Sequence, residues 1–336
     1  VAVRRAIFLS AAGFCLTPWC SPPIALALGI VLALIGLTAF EAEAKKYSKL
    51  LIQLCVVVLG LRMDLGTVLH TAKDGLLFAA VTIVGTLALG FAAGKALKLG
   101  REITLLISSG TAICGGSAIA AVGSAINASG ASMAVATGTV FLLNAVALWL
   151  FPVVGQALHL SQTQFGTWAG VAIHDLSSVV GAATAYSKGY DPAAHDNIPS
   201  ALDTANVVKL SRVLWILPIT VFAAWITRRA EQQDDQEINK PSNTTRAKRA
   251  SAPVPWFIGL FLVTSAVRSI VPALAAWEPQ IKLFAGAGFA LALFLIGSGL
   301  SRKAIALVGW RAMMLGVLLW VCISITALVV VRSVIA

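Results

Sequence analysis

Apolar runs recur along this chain from end to end, and they leave room for little else. Ile24–Phe40, Gly75–Gly94, Met133–Phe151, Leu210–Ile226, Pro255–Val267, Phe284–Leu300 and Met313–Val331 are the clearest, and about 20 such residues suffice for a helix to span the hydrocarbon core. Composition agrees: 58% of the residues are hydrophobic and 12% charged, with mean hydropathy +0.88. A soluble domain is roughly 45–50% apolar and about 25% charged. The 336 residues are therefore used up by spans rather than by separate folded domains.

The 25 Lys and Arg residues exceed the 14 acids and give a net charge of +11. That balance alone fits nucleic acid, an anionic membrane face or an anionic substrate, and position selects the membrane face. Arg4 and Arg5 precede the first apolar run, Lys45, Lys46 and Lys49 follow the second, and Lys95, Lys98 and Arg101 follow the fourth. Arg228, Arg229, Lys240, Arg246, Lys248 and Arg249 follow the eighth, and Arg302, Lys303 and Arg311 follow the tenth. All fall on one side if eleven spans lie at about 6–18, 22–40, 49–62, 75–95, 102–127, 131–151, 164–187, 201–226, 254–271, 280–300 and 311–335. The other side receives Arg62 and Lys73 balanced by Asp64 and Asp74, a short turn near Ser129, and the acidic loop with Asp191, Asp196 and Asp203. The positive-inside rule then expects a cytoplasmic N-terminus and an external C-terminus. Trp149, Trp168, Trp225, Trp256, Trp277 and Trp310 lie near run ends, where an amphipathic ring suits the headgroup level.

Arg4-Arg5 followed by Ala6–Leu16 also resembles a signal peptide, but a full first span is the simpler account of the basic loops. Cys15, Cys20, Cys55, Cys114 and Cys322 are odd in number and lack a C-x-x-C spacing, so neither a disulfide framework nor a zinc site is expected, and no cofactor is implied. The segment 227–253, with EQQDDQE and KPSNTTRAKR, is the one long polar stretch. It reads as a flexible cytoplasmic linker between 1–226, holding spans one to eight, and 254–336, holding spans nine to eleven. Its basic end marks topology and anionic headgroups rather than nucleic acid. The expected fold class is an all-α polytopic membrane protein of about eleven helices.

Within the fifth span, Ser108-Ser109-Gly110-Thr111-Ala112-Ile113-Cys114-Gly115-Gly116-Ser117 places glycines and hydroxyls where a lipid-facing helix would carry Leu and Val. Such a stretch is a candidate broken helix, tolerated only where protein or a water-filled cavity satisfies the backbone. A half-helix beginning near Gly115 offers N–H groups to an anion, and one ending near Ser109 offers carbonyls to a cation such as Na⁺. Close packing through small residues is the alternative. The seventh span holds His174 and Asp175 near its centre, followed by Ser177 and Ser178. Ionisable residues at that depth are costly and mark function, so Asp175, with His174 and the two serines, is expected to take H⁺ or Na⁺. A structural ion pair, or for His174 a hydrogen-bonded core histidine, is the other reading.

Lys209 and Arg212 are three residues apart in the eighth span and share a helix face. They either pair with Asp175 or hold an anion, since Arg fits planar oxyanions bidentately and Lys adds a point charge. Counting by fives makes spans two to six and seven to eleven antiparallel copies, with the tenth span matching the fifth through Gly286, Gly288, Gly297 and Gly299. An inverted five-plus-five repeat with broken helices is therefore expected.

The strings GTAICGGSAIAA at 110–121, AIHDLSSVVGAA at 172–183, VVKLSRVLWILP at 207–218 and GLSRKAIALVGWR at 299–311 resemble the YeiH family, in the family's order and across nearly the whole chain. The resemblance implies a bacterial inner-membrane transporter of about ten or eleven helices that exports sulfate or a related sulfur oxyanion. Some relatives carry Glu where this chain has Asp175, which keeps an acid at that position.

The expected function is a secondary transporter of a small inorganic or organosulfur anion coupled to H⁺ or Na⁺, not an enzyme, working in the lipid bilayer with a homodimer allowed. Ser109, Thr111, Cys114, Gly115, Gly116, Ser117, Lys209 and Arg212 are the expected substrate contacts. An intramembrane enzyme using Cys114 or Ser117 with His174, and an anion channel, are the alternatives. Neither H-E-x-x-H nor G-x-S-x-G nor a nucleotide-binding G-x-x-x-x-G-K-[ST] string is present.

Overall fold

The computed structural model describes residues 2–17, 19–188, 198–225, 256–300, 306 and 308–335. Among them the regular elements are helical: α1 (Ala2–Phe14), α2 (Pro22–Leu34), α3 (Glu41–Gly60), α4 (Leu65–Ala96), α5 (Arg101–Ala112), α6 (Gly116–Ala125), α7 (Gly130–Ala157), α8 (Gln162–Ala172), α9 (Leu176–Tyr186), α10 (Ala201–Val213), α11 (Trp256–Ile270), α12 (Glu278–Ser298) and α13 (Trp310–Val334). A turn at Leu214 and Trp215 separates α10 from further helix over 216–225. Short polar side chains set several starts: Asp64, Ser129, Ser161, Asp175 and Ser200 each accept a hydrogen bond from a first-turn N–H. Five stretches are long and apolar enough to cross a membrane, namely Leu76–Ala96, Gly130–Ala157, Ala201–Trp225, Pro272–Ser298 and Trp310–Val334.

Two of the eleven expected spans do not cross. Ser129, just past α6, donates from its N–H and hydroxyl to Glu102 at the start of α5, at 3.3 and 3.2 Å. A Cβ on Gly110 would lie 2.9 Å from the side chain of Ile119, so α5 and α6 run side by side. They form a helical hairpin whose ends share one end of the bundle. The same holds for α8 and α9: Gln162 Oε1 accepts from Ser187 Oγ at 2.9 Å, Phe165 stacks on Tyr186 with centroids 3.8 Å apart, and the Tyr186 hydroxyl donates to the Leu160 carbonyl at 2.5 Å. Helices of 12, 10, 11 and 11 residues reach about half of a roughly 30 Å core at about 1.5 Å per residue.

If the other nine expected spans cross, replacing two crossings by two hairpins preserves parity everywhere except in two turns. The Ser129 turn moves to the end that carries Lys95, Lys98 and Arg101, and the turn around His159 moves to the opposite end, with Asp203. The tenth run is the unbroken helix α12, so it lacks the break that matching it to the fifth span requires. Its Gly297 serves packing: a Cβ there would sit 2.5 Å from the Leu26 carbonyl oxygen and 3.0 Å from the Ile30 nitrogen. The backbones of α2 and α12 thus touch where small residues allow. Trp168 is likewise not at a headgroup level. It is 4% exposed, stacks on Phe151 and donates from Nε1 to the Ser324 carbonyl at 2.9 Å. Trp149, Trp225, Trp256, Trp277 and Trp310 are exposed. The linker 227–253, Asp191, Asp196, Arg302 and Lys303 lie outside the described residues.

The helices fall into two groups. In one, α2 and α3 pack on α12, with α11 against α3 and α1 at the margin; in the other, α4, α7, α10 and α13 enclose the two hairpins. Arg62, after α3, joins the groups. It is bonded to Asp203 of α10 at 2.9 Å and Glu278 of α12 at 2.7 Å, and its side chain is 2% exposed. That clamp places the end of α3 and the starts of α10 and α12 at the same end of the bundle.

Candidate functional site

The hairpin tips meet halfway along the bundle. The first tip is Ile113-Cys114-Gly115, where Gly115 has φ 65° and ψ −125°, a conformation that glycine adopts and side chains resist. A Cβ on Gly115 would lie 3.4 Å from His174 Cβ and 3.5 Å from Asp175 Cβ. Ile173-His174-Asp175 is the second tip. Each tip joins the carbonyl-rich end of one half-helix to the N–H-rich end of the next, in the apolar interior.

Charged side chains meet these ends by sign. Lys209 Nζ donates to the Ile173 carbonyl at 2.6 Å and to the Ile113 carbonyl at 3.4 Å, so one ammonium caps α8 and α5 together. Arg212 donates to the Ala112 carbonyl, and through Nη1 to Thr82 Oγ1 of α4 at 2.8 Å. Asp175 caps the N-terminal end of α9: Oδ1 accepts from Ser178 N–H at 2.6 Å and Ser177 Oγ at 2.7 Å, and Oδ2 from Asn144 Nδ2 at 2.5 Å and Ser178 Oγ at 3.3 Å. Asn144 of α7 also accepts from the His174 N–H at 3.1 Å.

This arrangement corrects two expectations. Lys209 and Arg212 do not pair with Asp175; among the described residues no ion pair joins them, and both cations hold backbone carbonyls instead. Ser109 lies within α5, one turn before the break, and its hydroxyl donates to the Leu106 carbonyl of its own helix at 3.1 Å. The carbonyls expected to attract Na⁺ near Ser109 are those of Ala112 and Ile113, and they are taken by Arg212 and Lys209. Thr111 and Cys114 are buried, Gly116 and Asp175 are half-buried, and Ser117 is exposed. Sequence reasoning missed Asn144 and Thr82. Asn144 had a signal, a lone amide inside the apolar run FLLNAVALWLF, whereas one threonine among several in α4 had none.

Only α6 starts without a side-chain cap among the two half-helices that begin at the tips, so the Gly116 and Ser117 N–H groups have no partner within the helix. On the hairpins and on α10, buried polar atoms with no hydrogen-bond partner include both ring nitrogens of His174, Arg212 Nε, Thr111 Oγ1 and both amide atoms of Asn206, one turn before Lys209. All four residues are 2% exposed or less, and an orphaned buried polar group costs about 1–3 kcal/mol. The charges do not balance either. The four half-helix ends, each worth about half a unit charge, cancel among themselves. By formal charge, Lys209 and Arg212 against Asp175 leave one positive charge in excess at the centre of the bundle.

The halves of the site differ in cover. Leu176 to Ala183 of α9 are buried, and a Cβ on Gly181 would meet Leu293 of α12 at 3.1 Å and Pro22 of α2 at 3.4 Å. On α6, Ser117, Ala120 and Ser124 are exposed, small residues that share one helical face.

Apolar crossing helices around two polar hairpins define a multi-pass membrane protein. The family model described as Conserved hypothetical protein 698 matches residues 4–316. The chain is similar to UPF0324 membrane proteins: 43% identical over 317 residues to one from Porphyromonas gingivalis (93% of this chain, 87% of the relative), 39% over 330 residues to one from Geobacter sulfurreducens (98% and 97%), and 40% over 315 residues to one from Vibrio parahaemolyticus (94% of each). The chain belongs to this family, UPF0324, which is the YeiH family. No solved structure matches it.

Proposed function

We propose that the protein is a secondary active transporter of a small anion, a sulfur oxyanion such as sulfate, exported across the bacterial inner membrane with coupling to H⁺ or Na⁺. Two buried cations at the hairpin tips, neither in an ion pair among the described residues, support this reading. A buried charge without a counter-ion is strongly unfavourable, and an anion beside the Gly116 and Ser117 N–H groups, Arg212 Nε and His174 supplies the missing one while satisfying orphaned donors. The export label rests on the family resemblance.

With the N-terminus in the cytoplasm and the C-terminus outside, the small-residue face of α6 is the cytoplasmic route to the tips, and α9 packed on α2 and α12 is the external cover. An enzyme using Cys114 or Ser117 needs His174 as base, and neither ring nitrogen of His174 has a hydrogen-bond partner. A carrier, unlike a channel, saturates and follows a cation gradient.

Proteoliposomes loaded with labelled sulfate, sulfite or a small organosulfonate test the proposal. Saturable flux that responds to an imposed H⁺ or Na⁺ gradient is expected. Flux of all three no greater than in protein-free vesicles would overturn it.

A further inference from the structure

Resting on that reading, we propose that protonation of Asp175 selects the valence of the bound anion: ionised, the site takes a monoanion, and protonated, it takes a dianion together with one proton. With Asp175 ionised the tips carry about one uncompensated positive charge, which a sulfonate neutralises. A proton on Asp175 removes the negative charge and leaves about two, which sulfate neutralises. In each state the loaded centre is neutral, the condition for moving it through a low-dielectric interior at least cost. An empty site carries net charge in both states.

The groups around Asp175 determine which cation fits. Its oxygens accept from Asn144, Ser177, the Ser178 N–H and the Ser178 hydroxyl. The Asn144 and Ser178 N–H groups are donors only and block a metal ion that would need several oxygens. A hydroxyl can reverse, however, so that protonated Asp175 donates to Ser178 Oγ while the other bonds persist. The remaining titratable or charged groups facing the tips are Cys114 from the first hairpin, His174 from the second, and Lys209 and Arg212 from α10. Lys209 and Arg212 are fixed on carbonyls, and among the described residues neither forms an ion pair with Asp175. Linkage therefore runs through the summed charge of the site, with no exchange of ion-pair partners.

The test is equilibrium binding of labelled sulfate and of methanesulfonate, a dianion and a monoanion throughout the range used, to purified full-length protein from mildly acidic to mildly alkaline pH. One proton taken up per dianion weakens sulfate binding by about tenfold per pH unit on the alkaline side, while methanesulfonate shows no such loss. Asp175→Asn keeps the N-cap of α9, since Asn caps as well as Asp, and is expected to bind sulfate without pH dependence. A pH slope for sulfate retained in Asp175→Asn overturns the proposal and moves the proton to His174 or Lys209. Both anions bound with no pH slope in the wild-type protein overturns it while leaving the anion site standing. Neither anion bound at any pH overturns the anion reading itself, and this inference with it.

Discussion

Lys209 donates to the main-chain carbonyl of Ile173, 36 residues earlier in the chain, at 2.6 Å, and the same ammonium reaches the Ile113 carbonyl at 3.4 Å. One side chain from α10 therefore fastens both hairpin tips at their carbonyl-rich ends. This makes Lys209 part of the frame that holds the site, as well as one of its two cations.

Lys209→Met removes that fastening with little change in volume. Each carbonyl left without a partner costs about 1–3 kcal/mol, so unfolding in detergent without added anion is expected at lower temperature or denaturant. Were Lys209 merely a ligand for a mobile anion, the anion-free variant would be as stable as the wild type or more so, because a buried charge has been removed.

Hairpins in place of full spans are tested by side-specific labelling of single cysteines in a background lacking the five native ones. Ser129→Cys is expected to react with an impermeant reagent from the same side as a cysteine placed in 227–253, and His159→Cys from the other side. Eleven full crossings would give the reverse at both positions.

Much of this architecture was legible in the sequence. The broken stretches near Gly115 and Asp175 were readable because glycine pairs, hydroxyls and a carboxylate interrupt runs that lipid would otherwise keep apolar. Charge asymmetry separated the two ends of the bundle. The hairpins were not readable, because a segment that enters and returns has the same length and hydropathy as one that crosses, and parity is restored by having two. What distinguishes them is long-range: Glu102 reaching Ser129, and Gln162 reaching Ser187. The capping role of Lys209 and Arg212 was hidden for a related reason, since their partners are main-chain carbonyls, which no side-chain pattern marks.

Arg62 sits between Asp203 and Glu278 with its guanidinium almost wholly enclosed. Arg62→Ala leaves Asp203 without its cation and is expected to destabilise the fold by about 2–4 kcal/mol, below the upper range for a fully buried pair because Glu278 is 39% exposed. Arg62→Lys restores the charge without the two-pronged geometry and recovers part of the loss. Thermal unfolding of the three proteins in one detergent gives the order.

Gly115 permits the first tip to turn. Gly115→Ala forces a side chain into a positive-φ conformation, and its Cβ would lie 3.1 Å from Val140 Cγ1. A cost of about 1–3 kcal/mol is expected, with sulfate binding reduced by about tenfold or more as the Gly116 and Ser117 N–H groups shift. Gly100→Ala, at a position with open space and φ −60°, is the control and should change binding by less than about twofold.

Selenate has the shape and charge of sulfate and scatters anomalously, so its position in crystals of the protein tests the central claim most directly. Anomalous density at the meeting point of the two tips, beside the Gly116 and Ser117 N–H groups and within reach of Arg212 and His174, is the predicted result. Selenate bound only at the basic end of the bundle or elsewhere on the surface, with the tips empty at saturating concentration, would contradict it.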